Sequence, residues 1–288
     1  MSDLFDAPGH GFAGPRTKVR RSKDGRPYVY DLDKGKEVLF TRCTTFIDCL
    51  EDKAVLARWG ERMALTGIRN SVGLGRELMT PPPEDGDEER RLLDDLAGRA
   101  KEFAGSRTAA RMGTDLHGLT EMHDRGETLP DVSQQMLADV EAYAQALAAH
   151  RLVPAEIEVF VVNDALRAAG TFDRVYDWFC DGWDRPPVRV IGDVKSGRVD
   201  YGQGKLAMQL ALYANSRRYD PDVREYRGNL DVSTEVGLVV HLPAGEARCK
   251  VYRVDLALGA EGLGLAASVR GWRSKTRAGV LSDLDLQT

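Results

Sequence analysis

The sequence predicts an α/β protein in which a helical first half precedes a compact core of strands and helices. Apolar residues recur with a helical period up to about residue 150, and after Pro154 the pattern changes to the alternation typical of strands. A chain of 288 residues, 42% of them hydrophobic, is long enough to bury a large core. We therefore expect a mixed central sheet flanked by helices over residues 106–288, with an N-terminal hairpin and helical segment packed on it over residues 1–105.

The first half is expected to hold one hairpin and four helices. Short β-prone runs at 28–30 and 38–40 flank a glycine-containing loop, which is typical of a hairpin. Helical spacing of apolar residues, together with the stops at Pro81–Pro83 and Pro130, predicts the helices. Their expected positions are residues 52–66, a segment around 92–96, 111–123 and 132–150.

The second half is expected to alternate between strands and helices. Three successive strands are predicted from alternating β-branched and aromatic residues bounded by Asp, Gly and Pro turns, at 156–163, 171–179 and 188–195. An amphipathic helix follows at 203–218. Two more strands, at 236–242 and 250–254, and a closing helix at 256–272 complete the core.

Charge and cysteine content narrow the class of protein. Forty basic and 45 acidic residues give a net charge of −5, which argues against indiscriminate coating of nucleic acid. Basic residues nevertheless gather at 16–26 and 270–277, while acids gather at 84–95. The four cysteines form no CxxC pattern, so neither a zinc site nor a disulfide framework is indicated.

No apolar run approaches the roughly 18 residues of a membrane span, and Met1–Gly14 lacks a secretory pattern, so a cytoplasmic protein without membrane contact is expected.

The segment Asp193-Val194-Lys195 is the strongest candidate for a chemical site. On a strand, residues two apart share a face, so the carboxylate and the ammonium would point the same way while Val194 points into the core. A carboxylate suits a hard cation, and a neighbouring lysine can position water and stabilise developing charge. An acid-x-Lys pattern also arises by chance, as at Glu51–Lys53. An ordinary ion pair at a turn remains the alternative.

A second carboxylate, Asp173, precedes this segment on the preceding predicted strand, in Gly170-Thr-Phe-Asp173. If the two strands are antiparallel neighbours, Asp173 and Asp193 come to one end of the sheet. Two carboxylate ligands from adjacent strands suit Mg²⁺ or Mn²⁺, which keep several waters. The alternative for Asp173 is an acid at a turn or strand edge.

Five further residues could contribute to the same site. His117 and Glu121 share one face of the third helix, where imidazole could serve as a metal ligand or contact a phosphate. Gln209 and Tyr213, one turn apart, could hydrogen-bond phosphate or stack on a base. Glu158 could add a carboxylate or bond to the lysine. For each of them a packed or solvent-exposed structural role is the alternative.

These motifs resemble, in order, those of the RecB-type nucleases of the PD-(D/E)XK superfamily. The resemblance covers mainly residues 111–219 and rests on four motifs: Gly113-x-x-x-His117, Gly170-x-x-Asp173, Asp193-x-Lys195 and Gln209-x-x-x-Tyr213. More loosely, residues 42–47 and 56–59 look like the N-terminal segment of phage-encoded exonucleases of this kind.

The resemblance implies a PD-(D/E)XK, restriction-endonuclease-like core and a role for each matched residue. It implies that Asp173, Asp193 and His117 bind Mg²⁺ or Mn²⁺, with the Val194 carbonyl as a further ligand. Lys195 would be the catalytic lysine. Gln209 and Tyr213 would line the DNA path, and the reaction would be metal-assisted phosphodiester hydrolysis.

Related nucleases of CRISPR adaptation often carry an iron–sulfur cluster held by three close cysteines after the QxxxY helix. Here Cys249 alone follows that helix, so no cluster is expected. The favoured function is a metal-dependent DNA exonuclease of phage recombination, replication or processing. It would act in the bacterial host cytoplasm, with DNA and a phage recombination or replication protein as partners. A nicking or structure-specific endonuclease, a catalytically silent binding module and an α/β protein with coincidental motifs remain alternatives.

Overall fold

The computed structural model describes residues 19–277 and 279–281, with residues 107–110 described by their backbone alone. Met1–Gly14 and the start of the basic run at Arg16 lie outside these residues. Contacts group the described residues up to Glu51 with those from Leu119 onward into one compact unit, and residues 52–118 into a second. The domain division near residue 105 stays a prediction, and the contacts place the hairpin with the sheet-bearing unit.

The N-terminal part of the sheet-bearing unit is built around the predicted hairpin, which is confirmed. Strands β1 and β2 pair antiparallel from Tyr28↔Leu39 to Asp31↔Lys36. The short strand β3 then pairs parallel with a strand of the main sheet, and a short helix follows it. The bounds are β1 Tyr28–Asp31, β2 Lys36–Leu39, β3 Thr41–Arg42 and α1 Cys43–Ile47, with a 3-10 turn at Asp48–Leu50.

The second unit is helical. Its helices are α2 Ala54–Asn70, α3 Val72–Leu78, α4 Gly86–Phe103 and the first part of α5 Ser106–Asp124. Asp85 caps α4 by accepting from the Asp87 N–H at 2.8 Å, and acids in the first turn suit the helix dipole. Gly67 lets α2 and α4 cross closely, because a Cβ there would lie 1.9 Å from the Ala100 carbonyl oxygen. Helix α3 was not predicted, since glycines interrupt its apolar pattern.

The larger unit carries an eight-stranded mixed sheet with the strand order β10-β9-β6-β5-β4-β7-β8, and β3 pairs with β5. Its further elements are α6 Gln134–Ala149, β4 Leu152–Asn163, β5 Ala168–Trp178, β6 Val188–Lys195, α7 Gln203–Ala214, β7 Arg217–Asp220, β8 Glu225–Asn229, β9 Val236–His241, β10 Lys250–Asp255 and α8 Leu256–Arg277. Strand β6 pairs antiparallel with β5 and parallel with β9. The predicted mixed α/β core is therefore present.

Helices cover both faces of this sheet. Helix α7 buries Leu210 and Ala211 in a core that includes Ile191 of β6 and packs against α8. On the opposite face, Tyr143 of α6 reaches Tyr176 of β5, with their hydroxyl oxygens 3.1 Å apart. Among helices in the described ranges, none combines the length and the apolar content that a membrane span needs.

One predicted element is wrong in extent. The helix expected over residues 203–218 ends at Ala214, and Arg217–Asp220 form strand β7 instead. Backbone pairing with β4 at Val161↔Arg218 takes these residues into the sheet. Long-range hydrogen bonding here overrides a local amphipathic pattern. Strands β3, β7 and β8 and helix α1 were likewise not predicted.

Candidate functional site

Asp193 and Lys195 lie near the end of β6 and form an ion pair. The distance from Lys195 Nζ to Asp193 Oδ2 is 2.6 Å, and Asp193 is buried whereas the Lys195 side chain is 35% exposed. Val194 between them is buried, as the alternation predicts. Burial acts to lower the pKa of Lys195, but the charges of Asp193 and Asp173 outweigh it and hold that pKa above its usual value. Lys195 is thus a fixed positive charge at the strand end.

Asp173 lies beside this pair, in the middle of β5, whereas the predicted strand over residues 171–179 had it near the start. The β5–β6 ladder runs up to Arg174↔Gly192, and Asp173 and Asp193 are the next residues beyond that last pair. Asp173 Oδ2 accepts the Val194 N–H at 2.7 Å. A side-chain hydrogen bond thus joins β5 and β6 where their backbone pairing ends. The expected closeness of the two acidic positions on adjacent strands is therefore observed.

Glu158 adds a third carboxylate on the next strand. The pairs Ile157↔Arg174 and Val159↔Phe172 place Glu158 opposite Asp173 on β4. Glu158 has φ +55°, a left-handed conformation that a residue with a side chain rarely adopts and that costs about 1–2 kcal/mol. Such strain persists where the surroundings impose it and is frequent at functional sites. The row Glu158, Asp173, Asp193 thus crosses three neighbouring strands.

His117 and Glu121 of α5 come together with Glu158. One ligand atom from each of the three half-buried side chains lies within 4.8 Å of the other two. Among the described residues, this is the one group of three His, Cys, Asp or Glu side chains that meets such a limit. The expectation that His117 binds the same metal ion as Asp173 and Asp193 stays a prediction.

Gln209 and Tyr213 of α7 stand behind Asp193. Gln209 Nε2 donates to Asp193 Oδ1 at 3.3 Å. Burial, with the neighbouring Cys43 and the site aspartates, raises the pKa of Tyr213 well above its usual value. Tyr213 is only 3% exposed, and a Cβ at Gly170 would lie 3.1 Å from its hydroxyl. Gly170 therefore makes room for Tyr213. Tyr213 was predicted to contact DNA, but its side chain is buried in this structure.

A buried polar network joins α5 to the sheet, and sequence reasoning missed it. Arg174 Nε donates to Asp124 Oδ2 at 2.6 Å, and both side chains are fully buried. The Tyr143 hydroxyl donates to the same oxygen at 2.7 Å, and Arg174 Nη1 donates to the Asp173 carbonyl at 2.9 Å. The network therefore ties the end of the helix that carries Glu121 to the backbone of Asp173. The available signal was Arg174 itself, the one basic residue in the strand Ala168–Trp178.

The predicted residues fall into two adjoining sets. Asp173, Asp193, Val194, Lys195 and Gln209 contact one another around the end of β6. His117, Glu121 and Glu158 form the second set, and Glu158 joins the two because it lies opposite Asp173 in the sheet.

No protein-family description matches the chain, and no curated protein matches it significantly.

Proposed function

We propose that this protein is a metal-dependent DNA exonuclease with a RecB-type PD-(D/E)XK core. One observation carries the proposal. The carboxylate residues Glu158, Asp173 and Asp193 occupy successive places across three neighbouring strands, with Lys195 paired to the last of them. An ion pair kept only for stability needs no further acids beside it, since like charges held together are unfavourable.

The donor chemistry fits Mg²⁺ or Mn²⁺. Asp173 and Asp193 would hold the ion, together with the Val194 carbonyl, while His117, Glu121 and Glu158 supply an imidazole and two carboxylates in the adjoining group. An imidazole ligand favours Mn²⁺ over Mg²⁺ in that group. When bound, a divalent ion polarises the phosphate and lowers the pKa of water.

The protein's own residues then have distinct tasks. Lys195 brings a positive charge to the place where negative charge develops on the scissile phosphate. Gln209 fixes the orientation of the Asp193 carboxylate by hydrogen bonding. The buried Arg174–Asp124 pair keeps α5 in place over the sheet. We further propose that the enzyme acts in phage DNA recombination, replication or processing in the bacterial cytoplasm, beside a phage recombination or replication protein.

The test is a time course on end-labelled linear DNA, single- and double-stranded, and on closed circular DNA, with Mg²⁺, Mn²⁺ or EDTA. We expect metal-dependent loss of linear DNA only. Lys195→Ala should lower the rate by about 10²–10³-fold, and Asp193→Asn should also impair it. Lys205→Ala is the matched control, because the Lys205 side chain is about as exposed as that of Lys195 and pairs at 2.5 Å with Asp48, which is not one of the three acids of the row.

Two results would contradict the proposal. Intact linear DNA in both metals would exclude the nuclease and leave a binding module. Cleavage of closed circular DNA would replace the exonuclease with an endonuclease.

A further inference from the structure

Four arginines gather around residues 39–46 of the sheet-bearing unit. They come from three separate parts of the chain, and among the described residues no carboxylate oxygen lies within 4.0 Å of their guanidinium nitrogens. We call them the arginine patch: Arg21, Arg26, Arg42 and Arg270.

Two of these arginines are held by neutral oxygens. Arg270 of α8 donates to the Thr45 carbonyl and to Thr41 Oγ1, both at 3.4 Å, and its guanidinium lies 4.9 Å from the centre of the Phe46 ring. Arg26 donates to the Phe40 carbonyl at 3.3 Å. These contacts fix the direction of each guanidinium without cancelling its charge.

The other two arginines meet at one glycine. Arg21 Nη1 donates to the Gly25 carbonyl at 3.1 Å, and Arg42 Nη1 would lie 3.5 Å from a Cβ placed on Gly25. Burial and the charge of Arg42 lower the pKa of Arg21. Asp24 lies in the same turn but forms no ion pair with either arginine. Two like charges held together are unfavourable unless an anion joins them.

Two basic side chains elsewhere in the same unit form ion pairs instead. Arg218 pairs with Glu156 at 2.5 Å, and Lys205 pairs with Asp48 at the same distance. The patch instead continues along α8, where Arg273 and Arg277 share the helical side of Arg270 and are exposed. The four arginines of the patch therefore differ from these ion-paired side chains, because their positive charge has no carboxylate partner in the part of the chain that the structure describes.

The patch adjoins the candidate site through α7. Cys43, which follows Arg42 in the chain, and Tyr213 of α7 meet at Gly170, where a Cβ would lie 3.2 Å from Cys43 Sγ and 3.1 Å from the Tyr213 hydroxyl. Tyr213 lies one helical turn from Gln209, which donates to Asp193 Oδ1 at 3.3 Å. A strand of DNA whose scissile phosphate lies at Asp193 would have neighbouring phosphates within reach of the arginines, since successive phosphates follow the backbone at short intervals.

We propose that the arginine patch binds the phosphate backbone of the DNA substrate next to the scissile bond. This inference rests on the proposed nuclease function. Guanidinium groups match phosphate oxygens in a bidentate geometry, and neutral anchors leave their donors oriented for it.

The test is DNA binding by fluorescence anisotropy in EDTA over a range of salt concentrations, so that no hydrolysis takes part. Each lost phosphate contact lowers the slope of log K against log[salt] by about 0.7–0.9. The variant Arg21→Gln/Arg42→Gln/Arg270→Gln should therefore lose about 2–3 units of slope. The corresponding triple Lys variant should keep most of the slope, and thermal melting shows whether each variant folds.

The matched control carries the same change in net charge at arginines that are ion-paired and exposed: Arg90→Gln, Arg227→Gln and Arg248→Gln. It should keep the wild-type slope. An equal loss in the control, or no loss in the folded patch variant, would overturn the proposal. Patch-dependent binding of poly-glutamate as tight as that of DNA would also overturn it, in favour of an acidic protein partner. Because binding is measured without metal, absence of hydrolysis alone would count against the nuclease and not against the patch.

Discussion

Replacing Asp124 by Asn should destabilise the protein more than any ordinary polar substitution, because it leaves Arg174 charged and buried. The Asp124 and Arg174 side chains are both 0% exposed and lie 2.6 Å apart. Burial acts to lower the pKa of Arg174, but the neighbouring tyrosines and Asp124 outweigh it, so its pKa is raised and the group stays charged. Removing one partner of a buried pair costs about 3–5 kcal/mol.

The Asp124→Asn variant belongs at the lower end of this range. An asparagine oxygen can still accept from Tyr143, so we expect a loss of about 3 kcal/mol. For a unit of this size that loss corresponds to a fall in Tm of about 6–12 °C. The measurement is urea unfolding followed by circular dichroism, with an unchanged m value as the check that the same surface unfolds.

Asp139→Asn is the matched control. Asp139 is 1% exposed and accepts the Gly245 and Ala247 N–H groups at 2.7 Å each, but no basic side chain among the described residues forms an ion pair with it. Its loss should cost only about 1–2 kcal/mol. The double variant Asp124→Asn/Arg174→Met should recover much of the stability lost in Asp124→Asn, because no buried charge remains. If Asp124→Asn costs no more than Asp139→Asn, or if the double variant is less stable still, the reasoning from the buried charge is wrong.

Two further predictions concern strain and pH. Glu158→Gly should be more stable than Glu158→Gln by about 0.5–1 kcal/mol, because glycine relieves the left-handed strain at a smaller entropic cost; equal unfolding free energies would contradict this. Burial acts to raise the pKa of Asp31, but hydrogen bonds from Arg167 and a backbone N–H outweigh it and hold it below its usual value. The Asp31–Arg167 pair therefore stabilises the fold above about pH 4, and this stabilisation is lost as Asp31 is protonated at lower pH. The unfolding free energy of Arg167→Gln should therefore fall less steeply below about pH 4 than that of the wild type. An unchanged pH profile would contradict this prediction.

The elements that follow from local pattern are the ones that sequence reasoning predicted. Alternation placed β6 at Val188–Lys195, and the leucines at 92, 93 and 96 after the proline stop placed α4. The end of α7 was missed because residues 215–218 continue a helical pattern, whereas their pairing partners in β4 lie more than 50 residues away in sequence. Nothing in the local sequence indicates such a distant pairing partner.

In the candidate site, too, the features that follow from local pattern were predictable and those that depend on long-range packing were not. The shared face of Asp193 and Lys195 follows from the period of a strand, and the nearness of Asp173 follows from antiparallel pairing. The position of Glu158 could not be predicted, because its positive φ breaks the alternation on β4. The meeting of His117 with Glu158 depends on how α5 packs on the sheet, which a helical period does not determine.

The order in which the chain is synthesised has a consequence for the sheet-bearing unit, because residues 52–118 interrupt it. Thr41 pairs with Ala168, so β3 has no partner until the ribosome has made more than a hundred further residues. At about 5–20 residues per second this wait is on the order of ten seconds. Meanwhile the helical unit is already complete in sequence. We therefore expect the helical unit to fold first during translation, while the hairpin and β3 stay exposed to chaperones until β5 emerges.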